Sequence, residues 1–108
     1  MLLNELFTGR PVLVESATVQ LVVNHIRDLV PNVRAIWLQR ASKGAPWNFT
    51  AVVHDQTHHE ELLAAVENVK RIEQGMKGVN IQVRVIIESA FEQSEGAMKV
   101  YAAPPLVQ

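Results

Sequence analysis

Eight consecutive residues, HDQTHHEE from His54 to Glu61, hold three of the chain's four histidines together with three carboxylates. Imidazole and carboxylate are the usual protein ligands for Zn²⁺ or Ni²⁺, and they are also the groups that move protons in general acid–base catalysis. The spacing argues against a chelate. A helical metal pair of the HExxH kind sets its imidazoles four residues apart on one face, whereas His58 and His59 are neighbours about 100° apart around a helix axis. His54 ends the preceding strand and can approach His58 beside Asp55. These three residues are therefore the candidate ligands, and the candidate centre of a small metal-dependent or hydrolytic enzyme. Helix initiation accounts for the same residues without any ligand. Thr57 followed three residues later by Glu60 has capping-box spacing, and Glu61 adds favourable charge to the first turn. On that reading the cluster is a solvated helix start, with no catalytic residue, metal or cofactor assigned. His25, beside an apolar helical stripe, reads as a packed or boundary residue.

No GxxxxGK[ST], GxGxxG or GxSxG pattern is present, so phosphate-cradling loops and a nucleophile elbow are not indicated. The chain has no cysteine, which excludes thiolate metal sites, thiol nucleophiles and disulfides. Asn48-Phe49-Thr50 matches a glycosylation sequon, but it falls inside a strand pattern and reads as a chance match.

The elements that must position such residues are legible from periodicity. SATVQLVVNHIRDLVP sets Val19, Val22, Val23, Ile26, Leu29 and Val30 on one helical stripe, with Ser16 as N-cap and Pro31 as stop. VRAIWLQR and WNFTAVVH read as strands joined through ASKGAP, whose Gly44 and Pro46 suit an antiparallel hairpin. A second helix from about His58 to Gln74 aligns Leu62, Ala65, Val66, Val69 and Ile72, and Gly75 follows as its C-cap. VNIQVRVIIE alternates as a strand. LLNELFTG is expected to be a short first strand, giving a βαββαβ-like antiparallel sheet with helices on one face. After Glu88, the capping-box spacing of Ser89 and Glu92 and a shared face for Phe91, Met98 and Tyr101 suggest an extra C-terminal helix, weakened by Gly96. The whole is expected to be one α+β two-layer domain over residues 1–108, with 102–108 an irregular tail.

Composition bounds the class. With 108 residues, 48% apolar and 19% charged, the chain can bury enough surface to offset chain entropy as one folded domain. Ten basic against eleven acidic side chains give a net charge of −1 without a basic patch, so a nucleic-acid partner is not expected. The N-terminus lacks the basic start and cleavage site of a signal peptide, and no stretch approaches the ~20 apolar residues of a membrane span. A cytoplasmic protein without a membrane partner is expected.

Strict alternation sorts the strands into two faces. Val33, Ala35, Trp37, Trp47, Phe49, Ala51, Val53, Ile81, Val83, Val85 and Ile87 would face the helices. The other side would then collect an aliphatic centre in a polar rim, and Arg34, Ile36, Leu38, Val52, Arg84 and Ile86 are its candidate partner-binding residues. With both tryptophans on the helix side, this face lacks the stacking aromatics of an RNA-binding sheet. Either the face is open to a protein partner or a second copy, or the C-terminal segment covers it with Phe91, Met98 and Tyr101.

The runs LFTGRPV, LVPNVRAIWLQR, FTAVVHD, EELLAAVENV and GVNIQVRVI resemble the C-terminal domain of the enhanced serine sensitivity protein family, over about residues 6 to 101. Pro31, Val33, Ala35, Ile36, Trp37 and Leu38 resemble that family's Pro-x-Val-x-x-Ala-(aromatic)-Leu strand, with one residue in place of two between Val33 and Ala35 and with Ile36 and Trp37 sharing the aromatic slot loosely. The resemblance implies a small α+β module with a binding or accessory role, and carries over no catalytic residue. Together these features point to a non-enzymatic interaction module, or a homo-oligomer, acting through the sheet face.

Overall fold

The apolar stripe read in the sequence becomes helix α1, Arg10–Leu29, in a computed structural model that describes residues 10–40, 46–76 and 80–104, with side chains from residue 17 onward. The helix starts at Arg10, ahead of the expected cap at Ser16. It ends at Leu29, two residues before Pro31, since a proline disfavours helical geometry in the residue ahead of it, and Asn32 then takes φ 60, a left-handed conformation that asparagine tolerates better than most residues. The Asn68 side-chain amide of the second helix donates to the Leu29 carbonyl at 3.0 Å, satisfying an oxygen that the helix end leaves open.

Strands β1 (Val33–Gln39) and β2 (Trp47–Val53) pair antiparallel, as expected of a hairpin whose turn lies largely outside the described residues. Helix α2 spans His59–Gly75 and leads to β3 (Ile81–Ile87), which lies parallel to β2. The sheet is therefore mixed rather than antiparallel. A strand that returns through a helix to its predecessor's side arrives in the parallel sense, and side-chain alternation carries no trace of that direction. A single 3₁₀ turn, Glu88–Ala90, follows, and the last element is strand β4, Met98–Ala102, in place of the expected helix. The proposed first strand lies outside the described residues.

The α+β class and the two helices on one face hold. Val22, Val23 and Ile26 of α1, Val30 just after it, and Ala65, Val69 and Ile72 of α2 form one buried cluster with Phe49, Ala51, Val53, Ile81 and Val83. Val66, expected in the α2 stripe, is 42% exposed. No described helix is long and apolar enough to cross a membrane.

The strand order is β3-β2-β1-β4. Consecutive in the chain, β3 and β4 stand at opposite edges, three strand spacings or about 14 Å apart. The segment between them must cross the sheet on the side the helices leave free. That crossing, residues 88–97, forms a strap.

Candidate binding cleft

The histidine cluster does not converge. The Nδ1 of His54 accepts the Gln56 amide at 3.0 Å, and the Asp55 carboxylate accepts the Ser89 amide at 2.7 Å, so both serve local turns and tethers. His58 is the N-cap of α2, and its amide donates to the Glu61 carboxylate at 3.2 Å. Among the described residues no three His, Cys, Asp or Glu side chains are grouped to hold a metal ion. The capping box thus lies one residue later than the Thr57/Glu60 spacing suggests. Thr57 is buried, and its hydroxyl donates to the His54 carbonyl at 2.7 Å while accepting from the Asn32 side chain at 3.4 Å. Engaged there, it cannot serve the helix amides.

The expected partner face is corrected by a β-bulge. Val33 pairs with Val53 but Ala35 pairs with Val52, so Arg34 is an extra residue opposite no partner, and every later β1 side chain changes sides. Ile36 and Leu38, expected on the open face, are 0% and 9% exposed and belong to the core beneath the helices. Trp37, expected under the helices, lies on the open face. Tyr101 pairs with Ile36 and lies on the helix side, where the Arg27 guanidinium sits 4.5 Å from its ring centroid. The β2 and β3 assignments hold: Trp47 and Phe49 are in the core, and Gln82 and Arg84 are exposed. Val52 is only 2% exposed yet stands outside the helix-side cluster, on the side that the strap crosses. Ile86, its partner on β3, is half-buried, and Arg34 reaches the Pro104 carbonyl at 3.3 Å.

Cross-strand register arranges the open face in rows of graded polarity. Ala35, Val52 and Ile86 form an apolar row; Trp37, Thr50 and Arg84 form the next, with Lys99 opposite Trp37; Gln39, Asn48 and Gln82 form an all-carboxamide row. The strap is pinned at three places over these rows. Asp55 holds the Ser89 amide, the Phe91 ring packs tilted on Trp37 with centroids 5.5 Å apart, and the Gln39 side chain donates to the Glu95 carbonyl at 3.0 Å. A tight turn then closes through the Ala97 amide to the Ser94 carbonyl at 3.1 Å, with Gly96 at φ 86 where a Cβ would be strained.

Between those pins the strap stands off the sheet and leaves a half-open cleft of about 550 Å³, within the range of small-ligand sites. Trp37 and Phe91 wall one side, the carboxamide row and Thr50 line the floor, Ser94 and Ala97 form the roof, and Arg84 and Glu73 stand toward the β3 edge. The Glu73 carboxylate accepts the Val83 amide at 2.7 Å, taking the place a neighbouring strand's carbonyl would occupy. Thr50 accepts from the Arg84 Nε at 3.2 Å. Alternation placed Asn48, Thr50, Gln82 and Arg84 on this side and a C-terminal cover through Phe91 was one of the two alternatives for it, whereas the bulge that adds Trp37 left no readable mark in the sequence. No family model, curated protein or solved structure matches the chain.

Proposed function

We propose that the chain is a non-enzymatic binding module, acting in a reducing, cytoplasmic setting in keeping with its lack of cysteine, whose site is the strapped cleft and not a bare aliphatic sheet face. The observation that carries this is the convergence, in one cavity of about 550 Å³, of an aromatic wall and hydrogen-bonding side chains from three strands. Ligand sites are built this way, from apolar surface with a few placed polar groups. The lining contains the Thr50 and Ser94 hydroxyls but no imidazole to activate either, and its carboxylate, Glu73, is committed to the Val83 amide. That supports binding over acid–base or nucleophilic chemistry. The resemblance to the enhanced serine sensitivity family adds an analogy to a small accessory module and no residue.

The test is a paired capture from native lysate with wild type and Gln82→Trp, which fills the cleft from an exposed edge-strand position. A partner held by wild type and lost by Gln82→Trp is the expected result. The same set of captured species with both proteins refutes the cleft as the site. Light scattering on the two proteins alone reports whether the partner is a second copy.

A further inference from the structure

We infer that the cleft's occupant presents a single carboxylate, carried on an apolar body, to the guanidinium of Arg84; this rests on the cleft being the binding site. Arg84 is exposed, yet it is oriented: its Nε donates to the hydroxyl of Thr50, a residue only 9% exposed. That bond fixes one edge of the planar group. The two terminal nitrogens have no hydrogen-bond or ion-pair partner among the described residues, although the side chain lines the cleft. A guanidinium held by one edge offers paired, parallel N–H donors, the geometry that grips a planar oxyanion in bidentate fashion.

The surroundings select the kind of anion. Arg84 shares a cross-strand row with Trp37, and the ring of Trp37, with that of Phe91, gives an apolar body a wall to lie against. At the far end of that row the Lys99 ammonium lies 5.3 Å from the Trp37 centroid, raising the positive potential over the floor. The lining's one acid is Glu73, turned to the β3 edge and hydrogen-bonded to Val83. Arg84 and Lys99 set against Glu73 leave one net positive charge, which balances a ligand of one negative charge. It would leave a phosphate dianion undercompensated, with no second arginine and no cradle of backbone amides in the lining to share it.

The experiment is an amide-resonance titration of the full chain with 2-naphthoate against its neutral twin 2-naphthamide, and with acetyl-Gly-Leu-Phe bearing a free carboxylate against the same peptide amidated. The acids are expected to shift the amides of Trp37, Asn48, Gln82, Arg84 and Phe91 and to bind at least ~10-fold tighter than their amides. In Arg84→Gln that ratio falls to about 1 while the amides bind as before, and well-dispersed spectra establish that the variant is folded. Preference for the naphthoate alone or for the peptide alone identifies the source as a small acid or a chain terminus, and either supports the inference. Equal binding of acid and amide to wild type, or an acid preference that survives in Arg84→Gln, overturns the arginine anchor and leaves the cleft reading standing. Absence of shifts at the cleft with every probe overturns both.

Discussion

Removing the contact between Trp37 and Phe91 tests the β-bulge and the strap together. Phe91 is half-buried, so truncation to alanine forfeits about half of the roughly 1.5–3 kcal/mol that full burial of such a side chain contributes. The tilted ring pair at 5.5 Å adds about 0.5–1.5 kcal/mol beyond area. Phe91→Ala is therefore expected to cost about 2 kcal/mol, a fall in Tm of roughly 8 °C for a domain of this size. Trp37→Ala costs more, because it also removes the ring under Lys99. The double variant should show a coupling of about 1 kcal/mol between the two sites. Urea unfolding followed by far-ultraviolet circular dichroism measures all four proteins, with an unchanged slope establishing that each unfolds in the same manner. Additivity within about 0.3 kcal/mol would mean that the two rings do not touch. Trp37 would then lie on the helix side, as plain alternation predicts, and the bulge at Arg34 would be refuted.

Ile36→Ala should lose about 2–5 kcal/mol by the same assay, since the side chain is fully enclosed; a loss under about 0.5 kcal/mol would place it on the solvent face. Asp55→Ala should speed hydrogen exchange of the Ser89 amide at least ~10-fold while leaving α2 protected, and equal exchange in both proteins would show that this tether does not hold the strap. Glu73→Ala bares the Val83 amide on an aliphatic edge strand, and concentration-dependent association by light scattering is expected; a monodisperse variant at every concentration argues that the carboxylate is no edge guard. Thr57→Val should cost about 1 kcal/mol, the net worth of one hydrogen bond, since the His54 carbonyl keeps the Thr57 backbone amide as a donor, and an unchanged midpoint would count against the hydroxyl bond.

What could be read in advance followed from repeating patterns of one kind of residue. The α1 stripe from Val19 to Val30, the α2 stripe through Ala65, Val69 and Ile72, and the alternation of Ile81, Gln82, Val83 and Arg84 each have a single consistent period. They led to the right helices, the right strand and the right β3 faces. In β1 both parities are apolar, Ala35 and Trp37 on one and Ile36 and Leu38 on the other, so hydrophobicity could not reveal a one-residue slip. The slip is decided by long-range pairing with β2. The last strand was hidden for a related reason: Met98 and Tyr101 stand three apart, a helical interval, whereas an extra residue in β4 at Val100 lets both lie in a bulged strand. The capping box was misplaced by one residue because Thr57's hydroxyl is bound inward, a partnership with Asn32 that spans 25 residues. The cleft was hidden chiefly by the slip, since its aromatic wall sets Trp37, moved by the bulge at Arg34, against Phe91 of the crossing segment, a cover that was one of two alternatives.

That crossing separates two tasks that most small domains assign to the same atoms. The strands beneath it turn one side to the hydrophobic interior, so a change of their path threatens the whole molecule. Among the described residues, 92–94 form no hydrogen bond or ring contact on their way across, Ser94's carbonyl excepted. Insertions or deletions there would raise or lower a ceiling without touching the foundations, so descendants of this chain could change what they admit while keeping the stability they inherited.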